Sequence, residues 1–281
     1  MREGVNILLN SLTIPNPYLY WRKGIWVFAI GAIFIIFLSS SLAPSFAAPL
    51  PSAKWDWQLS VENINPPKNI KAFGADPDSV TSEQILALNK AGVYTICYVS
   101  VGTLENWRSD KNIFPSNIIG KTYGDWPDEA FLDISNNELV NIMVQRFNNC
   151  AALGFLAIEP DNMDVYINDS GFNISKEQTL DYIRSLAKHA HALNLEIGQK
   201  NVPELTSELV SIMDFIITED CFVDGWCGDV LPYIAANKPV FNAEYTDTGV
   251  DFNAACTYAA KYKISMILKD RDLTVEREIC P

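Results

Sequence analysis

From residue 55 onward the chain alternates short apolar runs with amphipathic stretches of helical period. Eight runs read as strands, at 57–61, 70–73, 94–101, 155–158, 195–198, 215–218, 240–243 and 264–268. Apolar runs separated by helical patterns are the mark of βαβ units and a parallel sheet, and eight such strands close a barrel. Thr81 with Gln84, Ser135 with Glu138 and Ser175 with Gln178 have the spacing of capping boxes, each placing a helix start. Behind Ser135, residues Leu139, Ile142, Met143, Phe147 and Cys150 recur at helical spacing; behind Ser175, so do Leu180, Ile183, Ala187 and Ala190. These stripes belong to the core. The longest connection, 102–133, exceeds a simple βα loop and is expected to cap one end of the barrel. The expected fold is therefore a single (β/α)8 TIM barrel. A doubly wound open sheet is the rival, disfavoured because no Gly-rich phosphate loop succeeds the first strand.

The first fifty residues differ in kind. Residues 24–53 carry no charge, 25–38 are almost wholly apolar, and Arg22 and Lys23 precede them. Basic residues before an apolar run keep the N-terminus inside and send the downstream chain outside. Two forms of this export signal stay open: a signal peptide cleaved near Ala47, after the small residues Ser45 to Ala47, or an uncleaved anchor spanning the membrane at 25–43. The expected layout is a signal peptide or signal anchor over 1–47, a linker over 48–54 and the barrel over 55–281, secreted or held at the cell surface. A monomer is expected.

Charge and cysteines extend this picture. The net charge is −13, and the exported part is more acidic still, since 1–47 hold Arg2, Arg22 and Lys23 against Glu3 alone. No basic footprint for nucleic acid exists; an acidic surface suits a neutral or cationic partner. Six cysteines behind an export signal read as disulfides. Cys221 and Cys227 are close enough to staple one loop, carrying Asp224 and Trp226. Pairing of Cys97 with Cys150 and of Cys256 with Cys280 is compatible with the sequence, which does not fix connectivity. Without CxxC pairs, and with His189 and His191 two apart on a helix, no metal site is expected. No cofactor is expected either. Asn168-Asp-Ser170 and Asn173-Ile-Ser175 are glycosylation sequons.

In a parallel barrel the chemistry sits at the C-terminal strand ends. There the sequence places Asp76, Glu105, Glu159 with Asp161, Lys200 with Asn201, Glu219, Glu244, and Lys269 with Asp270. A lone loop acid is usually solvated or caps a helix. Convergence of acids from six loops matches glycoside hydrolysis, which needs two carboxyls flanking one bond. Tyr98, Trp107, Trp126 and Tyr245 are aromatic platforms for sugar faces on or near the same rim. No GxSxG elbow is present and neither histidine ends a strand, leaving Ser or Cys hydrolysis without its base.

The strings 97–102 (CYVSVG), 105–110 (ENWRSD) and 154–164 (GFLAIEPDNMD) resemble the endo-α-1,4-polygalactosaminidases, glycoside hydrolase family 114. So do Lys200-Asn201, Glu219-Asp220-Cys221 and the stretch from Lys238 to Glu244-Tyr245. The resemblance implies a barrel that cleaves α-1,4-linked galactosamine within a biofilm exopolysaccharide, with Asp161 as nucleophile, Glu219 as acid/base and retention of configuration. Asp76, Tyr98, Glu105, Trp107, Arg108, Glu159, Asn162, Asp164, Lys200, Asn201, Glu244 and Tyr245 are the candidate substrate-binding residues. Of these, Asp76, Asp164 and Glu244 are the acids expected to meet a cationic polymer, and Phe222 and Trp226 are expected as apolar neighbours of Glu219. Asp220 and Gln199 stand where the family often has Gln and Leu. The alternative function is a non-catalytic polysaccharide-binding barrel.

Overall fold

The computed structural model describes residues 48–124 and 126–281. Twelve strands run in chain order: β1 (Trp55–Gln58), β2 (Ala72–Ala75), β3 (Tyr94–Ser100), β4 (Thr103–Glu105), β5 (Ile119–Tyr123), β6 (Trp126–Leu132), β7 (Ala157–Asp161), β8 (Glu196–Lys200), β9 (Phe215–Glu219), β10 (Val240–Tyr245), β11 (Ser265–Lys269) and β12 (Arg277–Ile279). All eight expected strands are among them, the first beginning two residues earlier than its apolar run suggests. They pair in parallel in the order β1-β2-β3-β7-β8-β9-β10-β11, with β12 antiparallel on the outer edge of β11. The sheet curls until β1 meets β11. Side chains bridge that seam: Trp55 Nε1 donates to the Ser265 carbonyl at 2.8 Å, and Arg277 to the Trp55 carbonyl at 2.5 Å.

Six helices are described: α1 (Ser82–Lys90), α2 (Asn137–Leu153), α3 (Lys176–Ala192), α4 (Thr206–Leu209), α5 (Leu231–Ala235) and α6 (Phe252–Tyr262). The capping boxes at Thr81 and Ser175 form as expected. The one expected at Ser135 does not. The Ser135 hydroxyl donates to Asp133 at 2.6 Å, and Asn136 caps α2 by accepting from the Glu138 N–H at 2.9 Å. Residues 59–71 lack a helix and β12 stands in place of the eighth, so the (β/α)8 plan is complete in strands and reduced in helices. No described helix is long and apolar enough to cross a membrane; the expected export signal and the candidate anchor at 25–43 lie outside the described residues.

Strand parity decides which side chains reach the site, because successive residues point to opposite faces. Trp55, Trp57, Tyr94, Ile96, Ala157, Phe215, Ile217, Phe241 and Ala243 fill the barrel interior. Their same-face successors at the strand ends, Tyr98, Glu159, Asp161, Glu219 and Tyr245, therefore point inward too. On β8 the inward positions are Gly198 and Lys200. The alternate positions on β3, β7, β9 and β10 pack outward into a larger core with the helices. The disulfide Cys97–Cys150 pins α2 to β3 there, and Cys256–Cys280 pins α6 to the chain end beyond β12.

The long connection is structured: β4, β5 and β6 form an antiparallel sheet in the order β4-β6-β5. It stands over one side of the barrel mouth.

Candidate active site

A cleft of about 760 Å³ opens at the C-terminal ends of the barrel strands. Its floor is organised by one buried cation. Lys200 Nζ lies 2.8 Å from Asp161 Oδ1, 3.1 Å from Glu219 Oε2 and 3.3 Å from Glu159 Oε1, and 4.8 Å from the centre of the Trp57 ring. Burial alone would lower the lysine pKa, but Asp161, Glu219 and Glu159 together raise it well above the usual range. Lys200 is thus a fixed ammonium held between three strands.

The two expected catalytic carboxylates are each held by further donors. Asp161 accepts from the Tyr98 hydroxyl at 3.1 Å and from the Asn162 N–H at 2.9 Å. Glu219 accepts from Asn201 Nδ2 at 2.9 Å and from the Tyr245 hydroxyl. Burial, then the Asp161 charge on Tyr98 and the Glu219 charge on Tyr245, raise both phenol pKa values, so these hydroxyls stay protonated donors. Arg271 stacks on the Tyr245 ring at 3.8 Å from its centre and bonds Asp220.

Backbone geometry at the strand ends is specialised. Asn162, Asn201, Val202 and Asp220 all have positive φ. For the β-branched Val202, at φ 45°, this is true strain, and it falls beside the residue that holds Glu219. Gly102 permits the close approach of the Asn162 backbone: a Cβ there would lie 1.8 Å from its carbonyl oxygen.

Of the residues expected to touch substrate, Tyr98, Trp107, Asn162, Asp164, Lys200, Asn201 and Tyr245 line this cleft with Asp161 and Glu219. Asp164 Oδ1 is buried without a hydrogen-bond partner. Five others are placed elsewhere. Arg108 clamps Asp76 through two 2.7 Å bonds and also bonds Glu105 at 2.7 and 2.9 Å. Asp76, Glu105 and Arg108 thus satisfy one another beside the site, and Asp76 is no free acid for a cationic polymer. Glu244, one position before the inward Tyr245 on β10, points outward and is fully buried. It accepts from the N–H groups of Phe222 at 2.8 Å and Val223 at 3.1 Å, anchoring the β9 loop from behind.

Glu159 lies beneath the floor, 1% exposed, with neither oxygen hydrogen-bonded. Burial chiefly, against the Lys200 charge and with Asp161 and Glu219 adding, pushes its pKa up to about 8. Its folded value is raised, so its stabilising effect is full in acid and is lost as pH climbs from about 4.5 through about 8. Glu159→Gln, neutral in both states, is therefore expected to match the wild type in stability near pH 4. At pH 8 it should exceed it by a few kcal/mol, on the order of one per unit of raised pKa. It should keep turnover at pH 6 within about tenfold, because it mimics the protonated acid. Melting curves across pH and a rate assay check this.

Glu219 departs from expectation in its surroundings. Phe222 packs on Tyr258. Burial would raise Glu219, but Lys200, Tyr245 and Asn201 outweigh it and lower its pKa. The disulfide Cys221–Cys227 is present, and the loop it closes brings Asp224 and Trp226 to the cleft. These two sulfurs and Glu244 form a close group of potential metal ligands, but the sulfurs are joined to each other. Of the sequons, Asn173 is exposed, whereas Asn168 is half-buried, its amide donating to Asp164, and its Ser170 is buried.

Sequence reasoning did not single out Trp57, Tyr123, Glu129, Met163 or Arg271, all of which line the cleft. The parity of β1 would have found Trp57. Glu129 and Tyr123 belong to the sheet hidden in the long connection.

An eight-stranded parallel barrel with paired carboxylates in an aromatic-rimmed cleft defines a glycoside-hydrolase type of site. The glycoside-hydrolase family GH114 profile matches residues 39–281, and the chain belongs to that family. No curated protein sequence matches. Among solved structures, Aspergillus fumigatus Ega3 in complex with galactosamine is similar over 83% of this chain and 96% of its own, at 29% identity and TM-score 0.77. The glycoside hydrolase domain of PelA from Pseudomonas aeruginosa shares the fold at 12% identity and TM-score 0.62, over 82% and 98% of the two chains. An α-galactosidase from Thermus thermophilus shares it at 8% and 0.55, over 82% and 59%.

Proposed function

We infer that this glycosidase cleaves α-1,4-galactosaminidic bonds within a galactosamine-containing exopolysaccharide, outside the cell, by a retaining mechanism. The observation that carries the reading is the convergence of Asp161 and Glu219 on one ammonium in an open cleft. Each carboxylate touches the same Nζ, at 2.8 and 3.1 Å. Their nearest oxygens are therefore at most about 6 Å apart, which is compatible with the ~5–5.5 Å carboxyl spacing of a retaining pair. In this reading Asp161 attacks the anomeric carbon while Glu219 gives its proton to the departing oxygen. Glu219 then takes a proton from the water that frees the sugar from Asp161. With its pKa lowered in the free site, Glu219 is ready as the base of the second step, and protonation for the first step favours acid pH.

The substrate is inferred from charge and from similarity to Ega3, whose structure holds galactosamine. De-acetylated galactosamine is cationic, and Glu129, Asp164, Glu204, Asp224 and Asp272 line the cleft. Three disulfides fit an oxidising compartment. The test is incubation of the protein with partly de-acetylated galactosamine polymer, with products read by mass spectrometry. A ladder of short oligomers that weakens as salt screens the charges is expected. Polymer bound but left intact would contradict the reading and favour a binding-only barrel.

A further inference from the structure

The three-stranded sheet presents two acids side by side, and only one has a cation. In the β4–β6 register Glu105 lies opposite Glu129, so both side chains leave the same face of the pair. Glu105 has Arg108. Glu129, 8% exposed, accepts one hydrogen bond at Oε2, from the Thr103 hydroxyl at 2.7 Å, and forms no ion pair among the described residues. Its Oε1 has no partner among them, and the residue lines the cleft. Burial, then the Glu105 and Asp161 charges, push its pKa up to about 7 against the Thr103 bond. A carboxylate so placed lacks a positive partner.

The surroundings say what that partner is attached to. Trp107 is 56% and Trp126 50% exposed, and both line the cleft. They stand on segments joined by the Asn106 N–H to Asp128 carbonyl bond of 2.9 Å. Large exposed indoles at the wall of a cleft suit the apolar face of a pyranose ring. The site also reaches the chemistry. The Thr103 hydroxyl that bonds Glu129 accepts from Asn162 Nδ2 at 2.9 Å, and the Asn162 N–H bonds Asp161.

We propose that Glu129, flanked by Trp107 and Trp126, is the specificity-determining residue that binds the protonated amino group of a sugar unit next to the bond being cleaved. This rests on the galactosamine-polymer reading. A charge-assisted bond to an ammonium is roughly twice as strong as a neutral one, and an N-acetylated sugar offers no charge to Oε1. Gln at this position would still accept from Thr103, so the sheet does not require the carboxylate.

The test compares wild type, Glu129→Gln and Glu129→Asp for kcat and KM on galactosamine oligomers and on their fully N-acetylated counterparts. Calorimetric binding of galactosamine oligomers is measured in parallel in an Asp161→Asn background. Glu129→Gln is expected to raise KM for galactosamine oligomers about 10- to 100-fold, with kcat within about threefold and KM for the N-acetylated oligomers unchanged. Glu129→Asp should fall between, and binding should weaken by the same factor as KM rises. Equal changes on both substrates, or unchanged binding, would overturn the assignment. Wild-type protein that leaves galactosamine oligomers intact would instead overturn the hydrolytic reading. The calorimetric comparison would still decide the role of Glu129.

Discussion

Asp161→Asn and Glu219→Gln should each lower turnover of galactosamine oligomers by about 10² to 10⁴, with circular dichroism unchanged. Both substitutions keep the shape of the side chain; the amide oxygen still accepts from Lys200, and the amide NH2 faces the Tyr98 or Tyr245 hydroxyl, which can turn to accept, so folding is not at stake. What each removes is chemistry. An amide at 161 cannot form the glycosyl ester, and one at 219 neither gives nor takes the proton. Because the two act in one reaction sequence, the double variant should be only slightly worse than the poorer single one. Either single variant keeping more than about a tenth of wild-type turnover would exclude its residue from the pair.

Lys200→Met should be nearly as damaging, and in two ways at once. The ammonium is 2% exposed and is the shared counter-ion of Asp161 and Glu219, with the acid Glu159 3.3 Å away. Removing one partner of a buried ionic cluster leaves the others uncompensated, at a cost of about 3–5 kcal/mol. The midpoint of denaturant unfolding should fall accordingly. The same loss removes the cation that lowers the Glu219 pKa and the donor that holds Asp161, so turnover should drop by about a hundredfold or more even at temperatures where the variant stays folded. Lys200→Arg should not restore it, since a planar guanidinium cannot reproduce a point charge seated between three strands and the Trp57 ring.

The barrel was legible because its strands are buried on both faces and so read as unbroken apolar runs. That signal failed where burial is one-sided. β6 opens on the exposed residues Trp126, Pro127 and Asp128, and β5 is half solvated, so neither registers as a strand and Glu129 went unnoticed. At the site, reading the residue just past each strand found Asp161, Lys200, Asn201 and Glu219. It failed for Glu244, whose neighbour Tyr245 points inward and so sends it outward. Parity settles that case. It also failed for Asp76 and Glu105, because ion pairing with Arg108 depends on where loops fold back; only the three-residue spacing of Glu105 and Arg108 hinted at it. The lowered pKa of Glu219 was out of reach for the same reason, since its donors come from β10 and from the end of β8.

The central claim, that Asp161 attacks and Glu219 handles the proton, is tested most directly by azide rescue of Asp161→Ala and Glu219→Ala on an aryl α-galactosaminide whose activated phenolate departs without a proton, with product configuration read by nuclear magnetic resonance. In Glu219→Ala, azide should intercept the sugar ester on Asp161 and release the α-glycosyl azide. In Asp161→Ala, azide takes the place of the missing nucleophile, and the product should be the β-glycosyl azide. The opposite assignment of the two products, or rescue of neither variant, would contradict the account.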